Sequence, residues 1–98
     1  MKVELPSSIS QALGSLVGAL AAEGFVPSQV EQSSSFGNFV VAFARGSTSL
    51  SVVRDRGQLH VAGPEQAELE AAGLWRAFSD PQSIVEPMLV WLRTHGTV

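Results

Sequence analysis

Two histidines, thirteen serines and a scatter of carboxylates are the side chains of this 98-residue sequence that could carry chemistry. His60 and His95 are the candidates for proton transfer or metal ligation, and either role needs a partner within hydrogen-bond reach. The strand pairing derived below offers His60 only Val53 across the ladder and Ser51 diagonally, with Asp55 near the turn as the closest carboxylate. His60 therefore reads as a surface histidine. His95 falls at the end of an expected helix, where a cation suits the macrodipole, and reads as structural. No serine lies in a G-x-S-x-G elbow. Glu65, Glu68 and Glu70 resemble a paired-carboxylate or metal patch, but without nearby histidine or aspartate they read as the acidic start of a helix. Cysteine is absent, which excludes a disulfide framework, a thiolate zinc site and a cysteine nucleophile. There is no G-x-G-x-x-G, Walker, H-E-x-x-H or EF-hand pattern. The expectation is no catalytic residue, no metal site and no cofactor.

Arg54, Asp55 and Arg56 are the more informative charged group. They lie at the end of a strand, so their placement depends on how the surrounding strands pair. Arg45-Gly46-Ser47-Thr48 reads as a hairpin with Gly46 and Ser47 at its tip, because a type II′ turn wants glycine at its first loop position. Phe43 then faces Leu50, Val41 faces Val52 and Phe39 faces Arg54. The next reversal, with Arg56 and Gly57 at its tip, sets Arg54 against Leu59 and Val52 against Val61. Phe39, Val41, Phe43, Leu50, Val52, Leu59 and Val61 share one side under this register. A tip one residue longer would turn Leu59 and Val61 to the other side, so the apolar pattern selects the shorter loop. Arg56 is a poor residue for the positive φ this turn demands.

Within this meander Arg54 stands on the core side at the sheet's end. Its guanidinium is expected either over the Phe39 ring or against a carboxylate at the rim. Arg56 projects from the turn, free for an anionic partner; the plainer reading is that Arg54 and Asp55 only finish the hairpin. The other side carries Val40, Ala42, Ala44, Ser49, Ser51, Val53, His60 and Ala62. That surface is too apolar for a solvated sheet and too small-sided for a thick core. The C-terminal helix, a second copy or a foreign partner could cover it, and an interface is the preferred reading.

The flanking segments read as helices. Apolar residues at Ile9, Leu13, Leu16, Val17 and Leu20 predict one helix over residues 7–23, capped by Ser7 or Ser8 and closed by Gly24. Gly14 and Gly18 are expected to allow close packing, at about 0.5–1 kcal/mol of helix propensity each. Residues 26–32 read as a polar edge strand or a loop, and Ser33-Ser34-Ser35 as a polar tract. Residues 64–73 predict a short helix with Pro64 at its first position and Gly73 at its end, after which Leu74, Trp75 and Phe78 should dock on the core. Ser83 and Glu86 have capping-box spacing for a last helix that buries Ile84, Val85, Met88, Leu89, Trp91 and Leu92. Pro87 should kink that helix or delay its start. His95 and Gly96 end it. The expected fold is one α+β domain over residues 1–98: N-terminal helix, antiparallel three- to four-strand meander, C-terminal helix, helices on one face.

Composition agrees with a globular chain of 45% hydrophobic and 15% charged residues. A net charge of −3, with Arg45, Arg54, Arg56, Arg76 and Arg93 dispersed, argues against nucleic-acid binding. Lys2 and Ala19-Leu20-Ala21 mimic a secretory signal, but Glu4, Pro6, Ser7, Ser8, Ser10 and Gln11 interrupt its apolar region. No run reaches the ~18 apolar residues of a membrane span, so a cytoplasmic location is expected.

The run VVRDRGQ (residues 52–58), between apolar strands, resembles a motif of small uncharacterised bacterial proteins. Some of these resemble immunity proteins of polymorphic-toxin systems in size and helix–sheet–helix order, most closely over residues 36–61. The resemblance implies a cytosolic protein that binds another protein, with no catalytic residues to carry over. The partner-binding residues expected are Val40, Val53, Arg54, Asp55, Arg56 and His60. Rival readings are a secretion-type chaperone homodimer and a small enzyme; a deep pocket holding His60 or His95 with a carboxylate would mark the latter.

Overall fold

A computed structural model describes residues 4–32 and 38–95, with only the backbone described at 94 and 95. Ser33-Ser34-Ser35, Gly96 and the His95 side chain lie outside the described residues. The element order is α1 (Ser7–Leu13), α2 (Ser15–Ala22), β1 (Val26–Gln32), β2 (Phe39–Arg45), β3 (Thr48–Asp55), β4 (Gln58–Ala62), α3 (Gln66–Ala72) and α4 (Gln82–His95). The strands form one antiparallel sheet in the order β1-β2-β3-β4.

The meander has the register that the apolar pattern selects. Phe43 pairs with Leu50, Val41 with Val52 and Phe39 with Arg54; Val52 pairs with Val61 and Arg54 with Leu59. All seven apolar residues of that side are buried. Both loops have two residues, Gly46 with φ +58 at the first and Arg56 and Gly57 with φ +54 and +81 at the second. Residues 26–32 are a strand, with a register shift between Pro27 and Gln29. Proline and a bulge on an edge strand both discourage pairing with another chain. The opposite edge is covered at one point: Phe78 N–H donates to the Leu59 carbonyl and Leu59 N–H to the Phe78 carbonyl, each at 2.7 Å.

The N-terminal helix is two helices rather than the single one its periodicity predicts. Gly14 takes φ +54 and ψ −131, which a residue with Cβ resists, and its N–H closes α1 on the Ser10 carbonyl at 2.9 Å. The break brings the start of α2 to the start of α4, where Ser15 Oγ donates to Gln82 Oε1 at 2.6 Å. Gly18 supports no close approach, since nothing lies within 4 Å of a Cβ built there. Pro6, not Ser7 or Ser8, stands at the N-cap, and its carbonyl accepts from Ile9 and Ser10.

The later helices start differently from their sequence signals. Glu65 is the N-cap of α3, so Pro64 lies before the helix rather than at its first position. The last helix begins at Gln82 and carries Pro87 inside it, with no delayed start. Asp80 replaces the expected Ser83–Glu86 box: its carboxylate accepts from the Gln82 N–H at 2.8 Å and the Ser83 hydroxyl at 3.1 Å. An aspartate is the better anion for the positive helix start.

Two Schellman closures organise the helix exits. After α2, Gly24 N–H donates to Ala21 and Phe25 N–H to Leu20; after α3, Gly73 N–H donates to Glu70 and Leu74 N–H to Leu69. In each motif the residue after glycine and the leucine five earlier are both buried, the apolar contact that this closure favours. Leu74 and Phe78 dock as expected, but Trp75 between them is 51% exposed. The closure commits Leu74 inward, and the following bend directs its neighbour to solvent. Ile84, Met88, Trp91 and Leu92 are buried and Val85 and Leu89 partly so. The helices' buried residues and the seven sheet residues form a single hydrophobic cluster.

Candidate functional site

The uncovered side of the sheet is built from alternate residues of all four strands. Register sets Glu31, Val40, Val53 and His60 in one row from edge to edge, followed by a row of Gln29, Ala42, Ser51 and Ala62. No member of either row is fully buried; Glu31 and Gln29 are exposed and the others half-buried.

At one end of this face lies a concavity of about 430 Å³ lined by Glu31, Gln32, Asn38, Phe39, Val40, Val53, Arg54, Asp55 and His60. Five of the six expected partner-binding residues thus share one hollow: Val40, Val53, Arg54, Asp55 and His60. Its floor is the valine pair and its rim is charged. Arg56 does not line it, sitting exposed at the tip of the adjoining turn. Arg54 lies between the two faces, because it also borders a smaller hollow of about 110 Å³ with Ala12, Gly57, Leu59, Ser79 and Pro81.

Neither contact expected of Arg54 is present among the described residues. Phe39 is buried in the core cluster, and the Arg54 guanidinium does not lie over its ring. The cation–π contacts belong to other arginines: Arg45 over Phe25 at 5.0 Å and Arg76 over Phe78 at 4.7 Å. Arg45 also donates through Nη1 to the Glu23 carbonyl at 2.8 Å, which makes it a clamp on the exit of α2 rather than a site residue.

Sequence reasoning missed Asn38. Its Oδ1 accepts from the Arg56 N–H at 2.9 Å and its Nδ2 donates to Asp55 Oδ1 at 3.4 Å. Extending the β2–β3 register by one pair sets Asn38 opposite Asp55, so the signal was available. Asn38 holds the turn in which Arg56 is the one non-glycine residue with positive φ among the described residues. A left-handed arginine costs on the order of 1 kcal/mol. Asparagine followed by glycine is the favoured pair for this turn type, and Gly57 is already present. Arg56→Asn is therefore expected to raise the thermal midpoint by about 2–8 °C. Circular-dichroism melts compare the two proteins, and an unchanged or lower midpoint would show that Arg56 is not strained.

Among the described residues, the hollow does not assemble a hydrogen-bonded acid–base pair. Glu31 and His60 share it from opposite edges, three strand spacings of about 4.8 Å apart. The Asp55 carboxylate meets Asn38, and His60 has no carboxylate hydrogen bond among the described residues. No group of three histidines and acids among the described residues could hold a metal ion. A second hollow, about 220 Å³, lies beyond β4 and is lined by His60, Val61, Leu74, Trp75, Arg76 and Ala77. His60 is the residue shared by both, and exposed Trp75 extends the surface past the sheet edge.

Comparison of the chain with protein-family models, curated proteins and solved structures gave no match. Among the described residues, no helix is long and apolar enough to cross a membrane.

Proposed function

We propose that this chain is a non-catalytic protein-binding module of the bacterial cytoplasm. It is immunity-like in that it acts by holding a partner protein against the uncovered side of its sheet. The observation that carries this reading is the shared hollow. A rigid four-strand floor presents Val40 and Val53 at its centre, with Glu31, Arg54, Asp55 and His60 around them. An apolar centre inside a polar rim is the anatomy of a protein interface, and exposed Trp75 beside Arg76 adds the residue types that dominate binding energy. The VVRDRGQ run contributes Val53, Arg54 and Asp55 to the hollow and Arg56 to its margin.

Val53→Asp tests the reading. An aspartate on this open side should cost at most about 1 kcal/mol of stability, yet it places a charge at the centre of the proposed contact. Affinity capture from the native extract is run with the wild type and the variant side by side. A partner retained stoichiometrically by the wild type should lose at least about thirty-fold in affinity for the variant. Equal retention by both proteins rules this face out, and a reaction abolished by His60→Ala would favour the enzyme reading instead.

A further inference from the structure

The row Glu31–Val40–Val53–His60 is complementary to itself, and we infer that a second copy of this chain occupies the sheet face through a two-fold axis parallel to the strands. The inference rests on reading this face as a docking surface and names its occupant in the absence of a foreign partner. An axis parallel to the strands and midway between β2 and β3 lays β1 of one copy over β4 of the other. Height along the strands is unchanged, so each row meets itself in reverse order. Glu31 then faces the second copy's histidine, which can donate an N–H to the carboxylate, and Val40 faces Val53 of the second copy.

The neighbouring rows obey the same symmetry. Asn38 would lie over the second copy's Asp55, an amide against a carboxylate, and Ala42 over its Ser51, two small residues that let the sheets approach. An axis across the strands fails this test. It stacks β1 on β1 and β4 on β4, so an axis at the height of this row brings the two Glu31 carboxylates towards each other and the two His60 rings likewise. With the contact centred on this row, the polar pattern favours the axis parallel to the strands.

Size sets the strength. Four strands about 4.8 Å apart, over three rows of alternate residues, present roughly 400 Å² per copy. That lies below the standard interface of about 800 Å² per partner. The dimer is accordingly weak and reversible, and a tighter partner can displace it. The edge-strand bulge at Pro27 and Gln29 makes the face, not the edge, the route to association.

A charge exchange decides the matter by sedimentation velocity over a concentration series. The wild type should show a concentration-dependent monomer–dimer equilibrium. Glu31→Lys and His60→Glu each should weaken it by about tenfold, since a two-fold dimer contains the contact twice. The double variant E31K/H60E recreates both contacts with reversed sense and should recover to within about threefold of the wild type. Unchanged melting curves verify that each variant is folded. A wild type that stays monomeric throughout overturns the inference, as does a double variant no better than the single ones. Partner capture is measured separately: a monomeric wild type that still retains a Val53-dependent partner sinks the dimer alone. A dimer without any such partner sinks the capture reading alone.

Discussion

Phe43→Ala is expected to destabilise the chain by about 3–5 kcal/mol, the usual cost of emptying an aromatic site in a packed core. Phe43 has no exposed surface, lies on β2, an interior strand of the sheet, and faces buried Leu50 across the ladder. Domains of this size are held by only about 5–15 kcal/mol, so the loss approaches the whole margin. The thermal midpoint should fall by roughly 15 °C or more. Urea denaturation of Phe43→Ala beside Val53→Asp checks the claim, because the two residues lie on opposite sides of one sheet. A Phe43 variant that unfolds at the wild-type urea concentration would mean that the core is not where this register places it. The contrast also bears on function: only a substitution that spares the core can report on the uncovered face.

The second large effect is at Gly24. Its φ of +88 disfavours any side chain, and a Cβ there would come within 2.8 Å of Arg45 Cδ. Moving Arg45 would disturb both its hydrogen bond to the Glu23 carbonyl and its contact with the Phe25 ring. Gly24→Ala should therefore cost about 2–4 kcal/mol, combining left-handed strain with a weakened charged hydrogen bond. Gly73 closes α3 with the same motif at φ +79, but the nearest atom to its Cβ is Pro87 Cβ at an unstrained 3.9 Å. Gly73→Ala should cost only about 1 kcal/mol. Introducing Gly24→Ala into an Arg45→Ala background should shrink its cost towards the Gly73 value, which denaturant melts of the four proteins would show. Equal costs for the two glycine variants in the wild-type background would remove Arg45 from its role as clamp.

Legibility differed by element for physical reasons. The meander could be read because two short loops tie neighbouring strands into one register, and a slip of one residue would expose half the apolar set. The same logic places Val40, Val53 and His60 on the open side. Residues 26–32 resisted because an edge strand repeats little apolar pattern: Pro27, Val30 and Gln32 pair opposite core-side Phe43, Val41 and Phe39, and only Val30 of the three is aliphatic. Glu31 entered the site through that pairing, which no local signal specifies. The helix break at Gly14 was equally hidden, since glycine inside a helix and glycine ending one look alike along the chain. The start of the last helix also departs from its local signal: the Asp80 carboxylate, not the expected Ser83–Glu86 box, reaches the Gln82 amide.

Which side chains share a sheet face, where the chain reverses and which helical stripes are buried all follow from periods of two and 3.6 and from turn chemistry, which are local to the chain. Three features have no such local origin: β1 brings Glu31 into line with His60, Phe78 bridges the outer edge of β4 at Leu59, and Trp75 faces solvent while Leu74 does not. Those outcomes depend on contacts between segments far apart in the chain, whose relative placement is set by how the common core closes rather than by any local preference.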